Sequence, residues 1–566
     1  KPVSTSTDGY QGVIGLDDGT ETEQRYPCIY TYERNRIHAG FGDGSSWNSI
    51  ITDPSLTLDK WNHVAVTFDR VSFIVYVNGE VVFATEEFAD RTPVARGEYD
   101  LSIGYIDNYF EGNIDEVRIY NRALAANEIV NELIDGAIST NLLTGKFVRE
   151  TAVSGGLILP NGFVMLSDGK MLVSEKIGRI QLFEPDGVIR STFLDITDIV
   201  NESNDRGMLG FVVDPNYDVN RHIYVAYTYD PPEVQNGSGY AGPNGLGARV
   251  SRISRFTANQ NGTFVDPASE FVLIGKNSTY ANIGTPDKKP GLTEPHSCGE
   301  LDAPVQDCIP ADEDSHTIGD LEFGLDGMLY CSTGDGGSYG RVDIINWRSQ
   351  ELDSLSGKIL RIDPLTGLGL PDNPFYDEGD PDSNRSKVWM YGLRNPYRFS
   401  IHPITGGVYI GEVGWTRWEE LNHGTPGSNF GWPAYEGGTG VNIKTSGYKD
   451  IPRVQDFYAT NPNVTTPLYA QSHSTGASAI ILGDFVMDSP VYPAELDGDL
   501  LFTDITNHAI RAVSFDPVSG AVTSTRYLSD NLGGPLIDFW RGTDGYMYCA
   551  DIYGFSIQRL VWDDQP

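Results

Sequence analysis

A short unit recurs in the C-terminal three-quarters of the chain and limits the fold more than any other feature. Each copy is a turn, usually Asp-Gly, that leads into an alternating apolar strand, and the strand most often ends in a polar or acidic residue. Six copies begin near residues 167, 220, 325, 405, 496 and 543. Radially repeated sheets bury their faces on one another and leave few open edges. The sequence therefore predicts an all-β chain with a six-bladed β-propeller over residues 148–566.

Two further expectations follow from the repeat. The last strand, "GFSIQRLVW", is predicted to pair with an early strand near 148–165 and so close the ring. The polar ends of the repeated strands are predicted to meet at one mouth of the propeller, where each is either a site residue or a cap for its own turn. These residues are Glu175, Asp335, Glu412, Asp504 and Asp551.

Residues 1–135 have a different pattern, with period-two alternation and an Asn-Gly hairpin turn in "VNGE". The stretches "WNHVAVTFD" and "GNIDEVRIYNRAL" resemble the laminin-G/concanavalin-like jelly-roll module, a β-sandwich. The resemblance begins late in the module, so we expect a partial sandwich that lacks its first strands, taken from a longer chain. It implies a glycan or calcium site with Asp115 and Glu116 as candidates, or else two solvated acids. Residues 136–147 are predicted to be a linker.

Four ordered motifs in the second region resemble the soluble, pyrroloquinoline-quinone (PQQ) dependent glucose/sorbosone dehydrogenases. They are "DRGMLGFVVDPNY", "HTIGDLEFGLDGMLYCSTGDGG", "YGLRNPYRFSIHPITG" and "GEVGWTRWEELNHGTPGSNFGWP". The resemblance implies that His316 is the base that takes a proton from a sugar hydroxyl, since a neutral imidazole suits that task. It implies that Arg394 and Asn395 contact the quinone.

The same resemblance implies a calcium ion. The carbonyl groups of Gly414 and Trp415 would bind the ion that clamps the quinone. Glu419 takes the position of an acidic residue beside that loop, and it is predicted to be either a calcium ligand or an exposed acid on a strand over 418–422.

Three positions depart from the family pattern. Thr506 stands where the family has a lysine, and Pro535 and Ile537 stand where it has two arginines. A tricarboxylate that loses three cationic partners loses charge-assisted hydrogen bonds worth roughly 1.5–3 kcal/mol each. The sequence therefore predicts weakened PQQ binding.

The composition limits the classes of partner and the cellular location that we expect for this chain. The formal net charge is −38, and without a basic stripe the chain is not expected to bind nucleic acid. No apolar run is long enough to span a membrane. Cys298 and Cys308 flank a short loop and are predicted to form a disulfide, whereas Cys28, Cys331 and Cys549 are left over. Six Asn-x-Ser/Thr acceptors favour a glycosylated, secreted protein: Asn201, Asn236, Asn261, Asn277, Asn384 and Asn463.

Two functions remain open from the sequence. The first is a calcium-stabilised extracellular protein that binds carbohydrate or neighbouring protein chains on a dehydrogenase-like propeller. The second is an active PQQ-dependent sugar dehydrogenase with His316 as its base. The three lost cations favour the first function, and the four motifs favour the second.

Overall fold

The computed structural model describes residues 1–3, 9–15, 25–78, 80–94, 101–115, 117–120, 122–124, 129, 145–473, 477–516, 520, 522–529 and 532–564. The chain divides into two compact units, Lys1–Asn141 and Leu142–Pro566. Strands dominate both units, as the all-β prediction requires. Among the described residues, no helix is long and apolar enough to cross a membrane.

The first unit contains the strands β1 (Tyr10–Gly15), β2 (Cys28–Tyr32), β3 (Arg36–Gly42), β4 (Trp47–Ile51), β5 (Val64–Phe68), β6 (Phe73–Val77), β7 (Glu80–Thr85), β8 (Ser102–Ile103), β9 (Tyr105–Ile106) and β10 (Asn108–Tyr109). One sheet has the order β4-β3-β2-β1-β8 and another the order β5-β6-β7. Alternation places Ile37, Ala39 and Phe41 of β3 in one buried cluster with Phe73 and Val75 of β6. The two sheets therefore pack face to face, which confirms the predicted sandwich.

The second unit contains the strands β11 (Lys146–Ser154), β12 (Pro160–Met165), β13 (Met171–Glu175), β14 (Arg179–Phe183), β15 (Ile189–Asp195), β16 (Met208–Val213), β17 (His222–Tyr229), β18 (Arg249–Thr257), β19 (Phe271–Ile274), β20 (Gly299–Glu300), β21 (Ala303–Pro304), β22 (Ile309–Ala311), β23 (Ile318–Phe323), β24 (Leu329–Thr333), β25 (Lys358–Ile362), β26 (Val388–Tyr391), β27 (Pro396–Ile401), β28 (Val408–Glu412), β29 (Trp418–His423), β30 (Tyr469–Ser472), β31 (Ile480–Phe485), β32 (Leu500–Asp504), β33 (Arg511–Phe515), β34 (Val522–Tyr527), β35 (Leu536–Arg541), β36 (Met547–Asp551) and β37 (Ser556–Asp563). Helices are short: α1 (Tyr217–Asn220), α2 (Asn384–Lys387) and α3 (Pro452–Ala459), with 3₁₀ turns at Pro232–Asn236, Gly239–Ala241, Pro267–Ser269, Tyr280–Asn282, Ile344–Gln350 and Ala494–Leu496.

Six antiparallel sheets form the blades of a propeller. Blades one to five are β12–β15, β16–β19, β23–β26, β27–β30 and β31–β34, and blade six has the order β35-β36-β37-β11. The first strands of successive blades contact one another in a closed cycle, β12, β16, β23, β27, β31, β35 and back to β12. This confirms the predicted six-bladed propeller. The predicted closure is also confirmed, because β37 pairs with β11 from Lys146↔Asp563 to Ser154↔Ser556.

Adjacent inner strands meet at corresponding positions near their first residues. Asn161 Nδ2 donates to Met208 O, and a Cβ added to Gly319 would lie 2.9 Å from Pro396 O. The inner strands therefore run in the same direction around the ring. Their starts, and the ends of the second strands that pair with them, lie on one face of the propeller. We call this face the mouth.

Arg398 holds the inner strands together inside the ring. Its guanidinium is buried and donates from Nε to Ile537 O at 3.1 Å and from Nη2 to Asn161 O at 3.1 Å. It also lies 3.2 Å from the Asp538 carboxylate. One side chain of blade four is thus tied to blades six and one, which fixes the positions of the mouth residues above it.

Candidate functional site

The acidic residues that end strands at the mouth act as caps, because their carboxylates accept hydrogen bonds from backbone N–H groups. In blades one, four and five the carboxylate accepts hydrogen bonds from the residues just before the inner strand of the same blade. The pairs are Glu175 with Ile158 N, Glu412 with Arg394 N and Asn395 N, and Asp504 with Ser478 N and Ala479 N. Asp551 accepts from Gly554 N and pairs with Arg149. Of the two interpretations of these acids, the geometry favours turn caps over free site residues.

Asp335 differs because it holds the imidazole of His316. Asp335 Oδ1 lies 3.2 Å from His316 Nδ1, and Asp335 Oδ2 accepts from Trp432 Nε1 at 2.8 Å. His316 Nε2 makes no hydrogen bond to any residue that the structure describes. His316 also has φ of +51°, a left-handed conformation that a non-glycine residue adopts at a cost. The fold therefore fixes one nitrogen of the ring and leaves the other available.

The His316 imidazole is neutral at pH 7. Only 7% of the residue is exposed, and burial lowers its pKa below the usual value. The nearby Arg394 guanidinium lowers the pKa further, while Asp335 raises it less than these two lower it. With Nδ1 facing a carboxylate, the neutral ring presents an acceptor at Nε2, which can bind or deprotonate a hydroxyl group.

Arg394 lies next to His316, and Nη1 of its guanidinium binds the protein itself, whereas Nε has no hydrogen-bond partner among the described residues. Nη1 donates to Val413 O at 2.9 Å and to Gly414 O at 2.6 Å, and the group lies 5.6 Å from the Trp432 ring. Only 5% of the residue is exposed. Asn395 lies beside it and donates its backbone N–H to Glu412. Arg394 therefore holds the loop that follows β28, and Asn395 binds the end of β28 through its backbone N–H; that either residue contacts a quinone stays a prediction.

Two of the three residues predicted to bind calcium, Gly414 and Glu419, have protein partners in this structure. The Gly414 carbonyl already accepts a hydrogen bond from Arg394 Nη1. Glu419 is buried rather than exposed: Oε1 lies 2.6 Å from His473 Nε2, and Oε2 accepts from Ile480 N at 2.9 Å. The exposed-acid alternative for Glu419 is therefore wrong. Within the described parts of the chain, no cluster of three or more His, Cys, Asp or Glu residues is arranged to hold a metal ion.

Glu436 organises the loop that carries Gly414 and Trp415. Its Oε1 accepts from the backbone N–H groups of Trp415, Thr416 and Arg417 at 2.8–2.9 Å, and from Trp418 N at 3.4 Å. Glycine is required at 414 because an added Cβ would lie 1.5 Å from Trp418 O. No sequence motif predicted this role for Glu436. The glycine pair that follows it in "YEGG" indicates a tight turn, but not that the acid caps a loop 20 residues earlier.

Arg541 and Arg511, the arginines that stand near the substituted positions in the sequence, do not supply them with positive charge. Thr506 hydrogen-bonds Ser478, and Pro535 and Ile537 are buried. Arg541 ends β35 at the opposite face of the ring, and Arg511 lies over the Tyr527 ring with Nη1 3.3 Å from Tyr469 OH. Because Thr506, Pro535 and Ile537 are neutral, these three positions supply no cation to a tricarboxylate quinone.

Two aromatic residues with exposed surface lie in the mouth loops that follow Asp335 and β28. Tyr339 follows Asp335 in its loop and is 57% exposed, and Trp415 Nε1 donates to Tyr339 O at 3.0 Å. Trp415, which is half-buried, packs against Trp432 and Tyr448, with ring centroids 6.2 and 5.1 Å away. The mouth thus combines a free acceptor with aromatic surface.

A small cavity lies behind Arg394 and is lined by buried acids. Glu412, Glu420 and Glu436 line it with Trp432 and Tyr435. Glu412 Oε2 has no hydrogen-bond partner among the described residues, and burial raises the pKa of Glu412 well above the usual range. Burial also raises the pKa of Glu420 to about 7. The fold therefore favours the protonated form of Glu412 and Glu420.

Replacing Glu420 with glutamine is expected to stabilise the protein in a pH-dependent way. A carboxyl whose pKa is raised on folding stabilises the folded state below about pH 4.5, and this contribution is lost as the pH rises to about 7. The gain of Glu420→Gln should grow over that window to about 3 kcal/mol. Asn422 can flip so that its unpartnered Oδ1 accepts from the new amide. Urea unfolding at pH 4.5, 6 and 8 measures the gain, and an equal difference at all three pH values would contradict the expectation.

The predicted glycan acceptors fall into two groups, one exposed to solvent and one buried. Asn236, Asn261, Asn277 and Asn463 are exposed, so they remain predictions. Asn201 and Asn384 are wrong as acceptors in the folded chain, because both are buried and their Nδ2 groups donate to Asp230 and to Asp353 O.

Cys298 and Cys308 are joined by a disulfide, and Cys28, Cys331 and Cys549 are buried free thiols. Of the jelly-roll candidates, Asp115 is exposed and Glu116 lies outside the described residues.

Comparison with known proteins matches each of the two units to a family. The sequence profile of the glucose/sorbosone dehydrogenase family matches residues 157–265 and 303–552, and that of the concanavalin A-like lectin/glucanase superfamily matches residues 3–130. The HIPL2 protein of Arabidopsis thaliana is 28% identical over 63% of this chain and 49% of its own length. Aldose sugar dehydrogenase YliI of Escherichia coli is 29% identical over 41% of this chain and 56% of its own. The chain thus spans about half the length of these relatives.

A solved structure supports the fold. The soluble aldose sugar dehydrogenase from Escherichia coli, in its apo form, superposes with a TM-score of 0.51 at 19% identity, and the match covers 74% of this chain and 99% of the other. The profile match covers more than half of the chain and includes His316, Arg394 and Gly414.

Proposed function

Because the chain belongs to the glucose/sorbosone dehydrogenase family, we propose that its propeller mouth binds a neutral sugar and does so without an acidic quinone. The observation that carries this proposal is that two neighbouring side chains differ in their hydrogen bonding. His316 keeps Nε2 available for a hydroxyl group, whereas Arg394 gives its Nη1 hydrogen bonds to the carbonyls of Val413 and Gly414. The mouth can therefore accept a hydroxyl proton, while the Nη1 hydrogen bonds of Arg394 hold its guanidinium against the loop after β28.

The surroundings of His316 suit a sugar. A sugar presents hydroxyl groups at its edges and C–H groups on its faces, so it needs acceptors beside apolar surface. His316 and Asp335 supply the acceptors, and the rings of Tyr339 and Trp415 supply the apolar surface. Neutral sugars also avoid repulsion from a chain with a net charge of −38.

We place this binding protein outside the cell. A disulfide between Cys298 and Cys308 is stable in an oxidising compartment, and four exposed glycan acceptors are compatible with secretion. The concanavalin-like unit is compatible with glycan or protein partners at a cell surface. The proposed site needs no calcium ion, since the Gly414 and Glu419 oxygens expected to bind one have other partners.

Removing the imidazole should weaken sugar binding. We expect His316→Ala to raise the dissociation constant for the best-binding neutral sugar by about tenfold, the equivalent of one lost hydrogen bond. Calorimetric titration of the whole chain with a panel of aldoses and disaccharides measures this. His222→Ala is the matched control, because His222 begins β17 at the opposite face of the ring. Equal affinities for wild type and His316→Ala, or no binding by any sugar, would contradict the proposal.

An active sugar dehydrogenase is the second candidate. The observation that favours it is the His316–Asp335 pair, since a buried neutral imidazole oriented by a carboxylate is the arrangement that proton abstraction from a hydroxyl requires. The two candidates agree on the sugar and differ on whether the protein retains a quinone beside it.

A further inference from the structure

Trp432 donates a hydrogen bond to the carboxylate that orients His316. Its indole Nε1–H bonds Asp335 Oδ2 at 2.8 Å, while Asp335 Oδ1 lies 3.2 Å from His316 Nδ1. An indole N–H can only donate, so the direction of this bond is fixed. The three side chains, which are separated by 19 and 97 residues in the sequence, therefore form a chain with the imidazole at one end and the indole at the other.

The rest of the fold holds the Trp432 indole in place. Only 4% of the residue is exposed. Its backbone N–H donates to Gly392 O at 2.8 Å, and its carbonyl accepts from Gln350 Nε2 at 2.8 Å. The ring packs against the rings of Tyr448 and Trp415, with centroids 5.3 and 6.2 Å away. Packing and backbone hydrogen bonds therefore position the indole donor before any ligand enters the mouth.

Asp335 depends on Trp432 for one of its two carboxylate oxygens. Oδ1 faces His316 and also accepts from Gly337 N at 3.1 Å, but within the described chain Oδ2 has no donor other than the indole. Asp335 is buried, so its negative charge relies on such donors instead of water. Without the indole N–H, the carboxylate becomes a stronger base and favours the protonated form of His316.

Charged groups face the His316 imidazole from three loops. Arg394 lies before β27, Asp335 follows β24, and Asp205 lies before β16. Burial lowers the pKa of His316 most, and Arg394 lowers it further, whereas Asp335 and Asp205 raise it. Of the two acids, Asp335 is the one that hydrogen-bonds the ring. How far Asp335 opposes the effect of burial therefore depends on how well its own donors stabilise its charge.

We propose that Trp432 is a positioning residue that, by donating to Asp335, keeps His316 neutral and its Nε2 available down to a more acidic pH. The indole bond fixes the carboxylate so that Oδ1 faces Nδ1, and it weakens the attraction of the carboxylate for a second ring proton. This role rests on the proposed function, since a sugar hydroxyl is the group that would use Nε2. The titration of His316 itself requires no sugar.

Replacing Trp432 with phenylalanine removes the indole N–H and keeps an aromatic ring. We expect Trp432→Phe to raise the midpoint of the His316 titration by about one pH unit, because the less stabilised Asp335 carboxylate favours the charged imidazole. NMR of the full-length chain with isotope-labelled histidine measures this midpoint in the absence of sugar, and His316→Ala identifies the signal. An unchanged or lower midpoint in a folded Trp432→Phe protein would overturn the proposal.

Two further variants separate the lost hydrogen bond from the lost volume. Histidine is no larger than phenylalanine but can keep an N–H at the corresponding ring position, so Trp432→His should return the midpoint to that of the wild type. Trp347 belongs to the same buried cluster as Trp432 but gives no hydrogen bond to Asp335, so Trp347→Phe should leave the midpoint unchanged. An equal rise in all three variants would show that looser packing sets the midpoint, which contradicts the proposed role.

The wild-type protein offers a second measurement that needs no change at position 432. The chain has nine tryptophans, so isotope labelling of the indole nitrogen gives nine N–H signals. One of them should shift with pH at the midpoint of the His316 imidazole, because Trp432 Nε1 bonds the carboxylate that contacts this ring. If no indole signal follows His316, the role of Trp432 is wrong. Absence of sugar binding, in contrast, would contradict the proposed function and leave both titration tests unaffected.

Discussion

Arg394→Met is expected to lower the free energy of unfolding of the ligand-free protein by about 3 kcal/mol. The substitution leaves the carbonyls of Val413 and Gly414 without their donor. Methionine has a similar length, so the loss reflects hydrogen bonds more than packing volume. Urea unfolding at pH 7, followed by tryptophan fluorescence, measures the change.

A matched arginine in the same loop controls for loss of charge. Arg417 is exposed, and Arg417→Met should change the free energy of unfolding by less than about 0.5 kcal/mol. An Arg394→Met variant as stable as the wild type would show that Arg394 does not hold the loop. The guanidinium would then be free for an external ligand, and the proposal that the mouth works without an acidic quinone would lose its support.

Glu436→Ala is expected to have a similarly large effect, a loss of about 3 kcal/mol. Four backbone N–H groups between residues 415 and 418 share one carboxylate oxygen, and alanine removes that acceptor from all four. Glu436→Gln should lose much less, because a carboxamide oxygen can accept the same hydrogen bonds. Hydrogen exchange of these four amides gives a local measurement. Unchanged protection in Glu436→Ala would contradict the assigned role.

Arg394 and Glu436 should not act additively. Both side chains stabilise the loop between β28 and β29. Arg394 donates hydrogen bonds to carbonyl groups of this loop, and Glu436 accepts hydrogen bonds from N–H groups of the loop. Once one support is removed, the other has less ordered structure to stabilise. The double variant should therefore lose less than the sum of the single losses.

The fold was predictable because its signal is local. Each Asp-Gly turn and the alternating strand after it can be recognised within a dozen residues, and six copies require a closed arrangement. The last strand was predictable for the same reason, since an open ring would expose edges.

The site was less predictable because its contacts join distant residues. The resemblance to the dehydrogenase family implied that His316, Arg394 and Gly414 share one site, and in the structure all three lie at the mouth. It could not show where the Arg394 guanidinium points, since this depends on a carbonyl 20 residues away. Glu419 looked like an exposed strand residue or a metal ligand, yet it is buried against His473, 54 residues away. Partners at such separations are set by the packing of whole blades, which no local pattern encodes.

Retention of the quinone tests the central claim most directly. The protein is incubated with PQQ and calcium, desalted, and examined for quinone absorbance and for sugar-dependent reduction of a dye. With Arg394 held by its own loop and neutral residues at 506, 535 and 537, the desalted protein should carry no quinone and reduce no dye, while it still binds sugar. One quinone retained per chain, with dye reduction that His316→Ala abolishes, would contradict this and establish the dehydrogenase.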